Sequence, residues 1–179
     1  MAIIDYPITT NFHGKDWFHP NPHTGIDLAV PLFTPIVSQD SGIVSLTTDK
    51  WLGNAVRLKL KNGETIVYGH ISKYEVYDGQ CIDKNQLLAL SGGDPKMPNQ
   101  GRTTGPHVHV TLINSSSQIV SPYNYLFNHD NFYQNNNNSS PFLFSVMLII
   151  LFIVLWKCKK VVAYGLGILF LLSIVFIVS

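Results

Sequence analysis

The sequence predicts an antiparallel all-β domain with almost no helix, followed by a pair of membrane-spanning helices. Three observations lead to this architecture. Short runs rich in β-branched residues recur between residues 25 and 127, and turn signals separate them. A polar stretch of asparagines and serines follows these runs. Beyond it the chain is almost wholly apolar, and its few charges form one lysine cluster.

Residues 1–22 are predicted to form an irregular arm that leads into the domain. Asn11, Gly14, Pro20 and Pro22 are turn formers, and aromatic side chains lie between them. The arm has neither a basic start nor a long apolar core, so we expect no cleavable secretory signal within it.

The β-rich part of the chain contains six predicted strands. Apolar and basic residues alternate from Val56 to Lys61, which is the pattern of a half-buried strand. Asn62-Gly63 follows, and this dipeptide between two β-rich runs is the strongest hairpin signal in the chain. The predicted strands are Pro35–Ser38, Gly42–Thr47, Ala55–Leu60, Thr65–His70, Leu87–Leu90 and His107–Ile113.

Two histidines at the start of the last predicted strand suggest a metal site. In a strand, His107 and His109 share one face, while Val108 and Val110 share the other. Neutral imidazole is the commonest protein ligand for zinc, and two imidazoles are costly to bury unless something coordinates or hydrogen-bonds them. Taken alone, however, the pair is more typical of solvated strand histidines.

A histidine and a carboxylate far upstream strengthen the metal interpretation. Pro22 and Gly25 favour extended chain over helix around them, and in extended chain His23, Gly25 and Asp27 share a face. Gly25 then leaves room for a metal or for a neighbouring backbone. Together with His109, the pair would provide three nitrogen and oxygen ligands and a fourth position open to water, which is the catalytic zinc pattern.

Six motifs occur in order along this region, and they carry a family resemblance. They are H-T-G-I-D-L-A-V-P at 23–31, T-P-I-V-S at 34–38, S-G-I-V at 41–44, G-N-A-V-R-L at 53–58, N-G-E-T-I-V-Y-G-H at 62–70 and G-R-T-T-G-P-H-V-H at 101–109. Residues 20–126 therefore resemble the lysostaphin-type, or LytM-like, zinc endopeptidases of peptidoglycan.

The resemblance implies a compact β-sandwich over residues 23–130 and a zinc peptidase activity. It implies one zinc ion held by His23, Asp27 and His109, with His70 and His107 as unligated histidines that assist catalysis. The substrate would be an amide bond in the peptide stems or cross-bridges of peptidoglycan.

Strand alternation and two departures from the family pattern bear on the details of the site. Tyr68 and His70 should share a face, which would bring the His70 imidazole into the same cleft as the last strand. Val110-Thr111 stand where the family often has an aromatic residue and a glutamate, and Asp94–Gln100 forms a long loop before the last motif. Both departures concern the substrate groove rather than the metal.

Charge and composition narrow the class of protein. Up to Ser140 the basic and acidic residues nearly balance, which argues against a nucleic-acid partner, because such partners usually require a basic face.

Two alternatives to the enzyme stay open. One is a catalytically silent module of the same fold that binds the wall or regulates its hydrolysis. The other is a membrane-perturbing or scaffold protein whose β domain adheres to the wall.

The C-terminal part is predicted to be a linker and a membrane hairpin. Residues 131–141 are rich in asparagine and serine, as flexible linkers are. Residues 142–178 contain two apolar segments, Phe142–Trp156 and Val161–Val178, on either side of Lys157-Cys158-Lys159-Lys160. The second segment would extend about 27 Å as a helix, enough to cross the apolar core of a bilayer.

The lysine cluster also predicts a topology. Lysines favour the cytoplasmic side, so the loop between the helices should lie inside and the β domain outside, facing the cell wall. Without a signal peptide, this location needs a dedicated export partner or delivery by a phage or conjugation apparatus, which would make the protein virion-associated. Retention of the domain inside the cell until lysis is the third alternative.

Overall fold

Antiparallel strands dominate the computed structural model, which describes residues 2–15 and 21–129. A 3-10 turn at Ile3–Asp5 precedes the strands, and one short helix, α1 at Tyr123–Phe127, follows them. The strands are β1 Ile8–Thr10, β2 Ile26–Leu28, β3 Pro35–Val37, β4 Gly42–Asp49, β5 Gly53–Leu60, β6 Thr65–Gly69, β7 Ile71–Tyr74, β8 Cys81–Ile82, β9 Leu87–Ser91, β10 Val108–Ile113 and β11 Ile119–Val120.

The strands form two sheets. The larger, eight-stranded sheet has the order β1-β2-β10-β6-β5-β4-β8, with β11 paired to the end of β10. The smaller sheet has the order β3-β9-β7, and all pairings in both sheets are antiparallel. Buried side chains from both sheets belong to one apolar core. The antiparallel all-β prediction is therefore confirmed for the described residues.

The β5–β6 hairpin explains how the large sheet acquires two different faces. Val56, Leu58 and Leu60 are buried in the core, whereas the basic residues between them turn away from it. Gly63 closes the hairpin with a φ of 91°, a backbone conformation that glycine adopts without strain. The face that turns away from the core is the one that carries the functional side chains.

Several short strands escape sequence reasoning. Ile8–Thr10, in the predicted irregular arm, pairs with β2 through Ile8 opposite Leu28 and Thr10 opposite Asp27. A strand of three residues is too short to show a periodic pattern, and its hydrogen bonds come from a partner distant in sequence. The same reason applies to β7, β8 and β11.

The predicted linker at 131–141 and membrane hairpin at 142–178 lie outside the described residues. Within residues 2–15 and 21–129, no helix combines the length and the apolar character needed to cross a membrane.

Truncating the centre of β5 should destabilise the domain. Leu58 is fully buried, so Leu58→Ala should lower the free energy of unfolding by about 2–5 kcal/mol through lost burial and a residual cavity. Urea denaturation followed by tryptophan fluorescence measures this change. The next residue, Lys59, has an exposed side chain, so Lys59→Ala should change the free energy of unfolding by less than about 0.5 kcal/mol. Equal losses in the two variants would contradict the assigned faces.

Candidate metal centre

His23, Asp27 and His109 come together where β2 pairs with β10. Asp27 lies directly opposite His109 in the antiparallel register, so their side chains leave the sheet side by side. His23 lies before β2, and the exposed fractions of the three residues are only 5%, 4% and 4%. One candidate ligand atom from each residue lies within 4.8 Å of the other two.

Gly25 makes this convergence possible. A β-carbon at this position would collide with the carbonyl oxygen of Val110 and would lie 2.6 Å from Nε2 of His109. The backbone of β10 and the ring of His109 therefore occupy the space that any other residue would fill. This is the close backbone approach that the sequence predicts for Gly25.

Hydrogen bonds orient the two ligand imidazoles. Nδ1–H of His23 donates to the carbonyl oxygen of Asn11 at 3.3 Å, which leaves Nε2 facing Oδ2 of Asp27 at 3.3 Å. His109 places Nδ1 at 2.9 Å from Oδ1 of Asp27 and Nε2 at 2.9 Å from the hydroxyl oxygen of Thr111. Nε2 of His23, Nδ1 of His109 and a carboxylate oxygen of Asp27 are thus the atoms available to a cation.

Thr111 contacts a candidate ligand, although sequence reasoning noticed it only as a departure from the family pattern. When Nδ1 of His109 binds a cation, Nε2 carries the ring proton and can donate it to Thr111, because a hydroxyl group accepts as readily as it donates. Strand alternation could have revealed this role, since Thr111 lies two residues after His109 on the same face.

The charges of the cluster favour metal binding. Burial alone would raise the pKa of Asp27, but the hydrogen bonds from His109 and His23 outweigh it and hold that pKa well below its usual range. Burial lowers the pKa of His109, so this ring is in the neutral form that ligates metals. Burial also opposes the protonated form of His23, yet the hydrogen bond and charge of Asp27 raise its pKa overall. A proton on His23 therefore competes with a metal ion for the same carboxylate.

His70 lies beside the cluster and is anchored through its other nitrogen. Its Nδ1–H donates to the carbonyl oxygen of Gln100 at 2.6 Å, which leaves Nε2 available to the cleft. The ring centroid is 4.3 Å from that of His107 and 6.2 Å from that of His109. Burial, helped by the neighbouring His107, lowers the pKa of His70 to about 4. His70 is therefore neutral at pH 7.

The prediction that Tyr68 and His70 share a face is wrong. Tyr68 is buried in the core, whereas His70 lines the cleft on the opposite side of the sheet. Strand β6 ends at Gly69, and His70 has a φ of 56°, in the left-handed region that breaks strand alternation. The imidazole therefore lies in the predicted cleft, but the left-handed backbone of His70 places it there rather than strand alternation.

His107 completes the group on the cleft side. Its Nδ1–H donates to the carbonyl oxygen of Gly105 at 2.8 Å, with the hydroxyl oxygen of Thr103 at 3.3 Å. Its Nε2 lies 3.9 Å from Oδ1 of Asp27. The structure therefore brings together all five histidine and aspartate residues that the sequence singles out, three in a ligand cluster and two beside it.

Gln100 was missed by sequence reasoning, although it supports His70. Its buried side chain donates to the carbonyl oxygens of Ile71 and Pro98 and accepts from the backbone N–H of Gly93. These bonds attach the loop at Asp94–Gln100 to the end of the small sheet. No local sequence signal identifies a glutamine whose partners are backbone groups from separate segments.

A model of peptidase family M23 matches residues 21–122, which is more than half of the chain. The chain belongs to peptidase family M23. The predicted resemblance to the lysostaphin-type and LytM-like peptidoglycan hydrolases is therefore confirmed.

Relatives and solved structures agree with this assignment. The peptidoglycan DD-endopeptidase ShyA of Vibrio cholerae is 34% identical over 123 residues, which cover 63% of this chain and 27% of ShyA. A zinc-containing peptidase from Vibrio cholerae has 28% identity and a TM-score of 0.55, covering 64% of this chain and 35% of that one. The catalytic domain of lysostaphin from Staphylococcus simulans shares the fold, with a TM-score of 0.60, 23% identity, and 69% of this chain and 94% of that one covered.

These comparisons concern the peptidase domain. The chain matches about a quarter of the length of the curated relatives, 27% of ShyA and 22% of the DD-carboxypeptidase/endopeptidase Mpg of Neisseria meningitidis. M23 peptidases are zinc metallopeptidases that cleave peptidoglycan. The buried set of two imidazole nitrogens and one carboxylate oxygen in this chain fits a zinc ion.

Removing the hydroxyl group of Thr111 should weaken zinc binding. Thr111→Val keeps the shape of the side chain but leaves Nε2–H of His109 without its partner, so zinc affinity should fall about 10- to 100-fold. Competition with a chromophoric chelator measures the dissociation constant. Thr111→Ser retains the hydroxyl and should remain close to the wild type. If Val and Ser behave alike, the hydroxyl does not hold His109.

The lowered pKa of His70 predicts a pH-dependent stability of the zinc-free protein. Because this pKa is about 4 in the folded state and about 6.5 in the unfolded state, the unfolded chain binds more protons between these values. The free energy of unfolding should therefore fall as the pH is lowered through this window, with a contribution from His70 on the order of 3 kcal/mol.

Urea denaturation at several pH values between 7 and 4 measures this decline. His70→Gln does not titrate, so its decline should be shallower than that of the wild type. Since His109 also has a lowered pKa and is present in both proteins, the difference between the two curves isolates His70. Parallel curves would contradict the assignment.

Proposed function

We propose that this protein is a zinc metalloendopeptidase that hydrolyses amide bonds in the peptide stems or cross-bridges of peptidoglycan. One observation carries the proposal: a buried cluster of His23, Asp27 and His109 lies in the same cleft as two histidines outside that cluster. Membership of family M23 supports peptidoglycan as the substrate. Because the relative ShyA is a DD-endopeptidase by name, a cross-link between stem peptides is the first bond to test.

Zinc bound by the ligand cluster would act as a Lewis acid on the scissile carbonyl and make a water acidic enough to attack it near neutral pH. The chain's own residues would then manage the protons. His70 is neutral at pH 7 and is held through Nδ1, so its Nε2 can accept a hydrogen bond from the attacking water.

His107 is suited to the complementary task. Gly105 holds its Nδ1–H, and its Nε2 points toward the ligand cluster. A proton carried on this nitrogen could stabilise negative charge on the substrate or pass to the leaving amine. The centroids of the two rings are 4.3 Å apart, so both histidines would act on the same scissile bond.

We further propose that residues 142–178 anchor the protein in a lipid bilayer, with the peptidase domain facing the cell wall. The support is the pair of apolar segments and the lysine cluster between them. This orientation brings the domain to the compartment that contains its proposed substrate. Delivery as a virion-associated lysin is the alternative route to the same substrate.

Two histidine variants separate metal binding from catalysis. His109→Ala removes a proposed ligand and should abolish stoichiometric zinc, whereas His107→Ala should retain zinc and lose about 100-fold or more of the turnover. Metal analysis measures the first effect, and mass spectrometry of muropeptides released from purified wall measures the second and identifies the bond. His129→Ala, which removes a histidine paired with Asp40 outside the cleft, is the control and should keep both properties.

The outcomes distinguish the competing interpretations. If both cleft variants lose zinc equally, the division between ligand and catalytic histidines is wrong. If the folded, zinc-loaded wild-type protein releases no muropeptides, the protein is a silent binding or regulatory module rather than a peptidase.

A further inference from the structure

Arg57 stands out on the floor of the cleft. It lies in β5 between the core residues Val56 and Leu58, so its side chain leaves the opposite face of the sheet and lines the cleft. In the strand register, Arg57 is opposite Val67, and Val67 is opposite Thr111. These three residues form a row across the sheet, directly adjacent to the row that contains His109.

Among the described residues, the guanidinium group of Arg57 has no protein partner. Within residues 2–15 and 21–129, no carboxylate forms an ion pair with it and no acceptor forms a hydrogen bond with it. The side chain is nevertheless partly buried. A partly desolvated guanidinium group whose five donors have no protein acceptor is an effective site for a planar anion.

The surrounding cleft residues do not neutralise this charge. Val67, Ile113 and Ile119 line the floor near Arg57 and are apolar. The nearest acidic lining residue along the chain, Asp49, uses Oδ1 to accept the backbone N–H groups of Trp51 and Leu52. Arg57 therefore places a positive charge beside the apolar residues of the floor.

The distance from the metal cluster is short on the scale of a peptide. Thr111 is two residues from His109, about 7 Å along the strand, and Arg57 is two strands from Thr111, about 10 Å across the sheet. An arginine side chain covers much of that span. A substrate with its scissile amide at the ligand cluster can reach the guanidinium from within about three residues.

We propose that Arg57 binds a free carboxylate carried by the substrate peptide near the scissile amide, through a bidentate, charge-assisted pair. Arg57 then determines specificity: it selects peptides with a carboxylate at this position over peptides in which the same group is a carboxamide. This inference rests on the proposed peptidase function.

Two matched peptides test the proposal on the full-length, zinc-loaded protein. They are synthetic cross-linked stem peptides that differ only in a free carboxylate or a carboxamide beside the scissile amide. The wild-type protein should cleave the acid with a kcat/KM about 10- to 100-fold higher than the amide. Arg57→Gln should remove this preference mainly by loss of activity on the acid, and Arg57→Lys should keep part of it.

Lys59→Gln is the matched control, because Lys59 lies on the same strand and the same face but is exposed and bonded to the carbonyl oxygen of Gly63. It should keep the full preference for the acid. A second measurement, calorimetric binding of the corresponding uncleavable single-stem peptides, does not depend on turnover and should show the same ratios.

Each outcome is decisive. Equal turnover of acid and amide by the wild-type protein, or a full preference retained in Arg57→Gln, overturns the role of Arg57 and leaves the peptidase function intact. If neither peptide is cleaved, the proposed function fails for these bonds, and the binding ratios then decide on Arg57 by the same criterion. Loss of the preference in Lys59→Gln as well as in Arg57→Gln assigns it to general charge and overturns the proposal.

Discussion

The site depends on one buried carboxylate that is surrounded by imidazoles. Asp27 lies within 2.9 Å of His109 and 3.3 Å of His23, and all three side chains are almost completely shielded from water. An ionised group in such a place is stable only if positive charge compensates it. A proton on a histidine can provide one positive charge. A divalent cation provides two and also binds the lone pairs of Nε2 of His23 and Nδ1 of His109. The cluster is therefore built for a metal ion.

The pairing of β2 with β10 places this carboxylate beside His109. Asp27 reaches its position because β2 pairs directly with β10, and that pairing is close enough only because Gly25 has no side chain. The same strand β10 supplies His109 to the cleft and Val108 and Val110 to the core. Core packing and ligand placement are therefore two faces of one strand, and a shift of its register by one residue would exchange them.

The residues around the cluster act by holding rings rather than by contacting a metal. Asn11, Gln100, Gly105 and Thr111 each bind the nitrogen of a histidine that faces away from the centre of the site. Three of these four contacts use backbone carbonyl oxygens, which do not depend on side-chain identity. At His109 a side chain performs this task, the hydroxyl group of Thr111, and at His107 the hydroxyl group of Thr103 lies near the same nitrogen as the Gly105 carbonyl oxygen.

The sequence by itself identified most of the candidate ligand and catalytic residues, because they are polar groups at strand spacing in β-rich segments. His23, Asp27, His107 and His109, the alternation of β5 and the hairpin at Asn62-Gly63 could all be recognised from local pattern. Only the tertiary structure decided how His70 enters the cleft, since its left-handed backbone reverses the face that alternation predicts. It also decided the roles of Gln100, Thr111 and Arg57. The bonds of Gln100 join segments far apart in sequence, and Arg57 has no partner among the described residues, so neither leaves a periodic signal in a single segment. Thr111 does lie at strand spacing from His109, but only the structure shows the hydrogen bond between them.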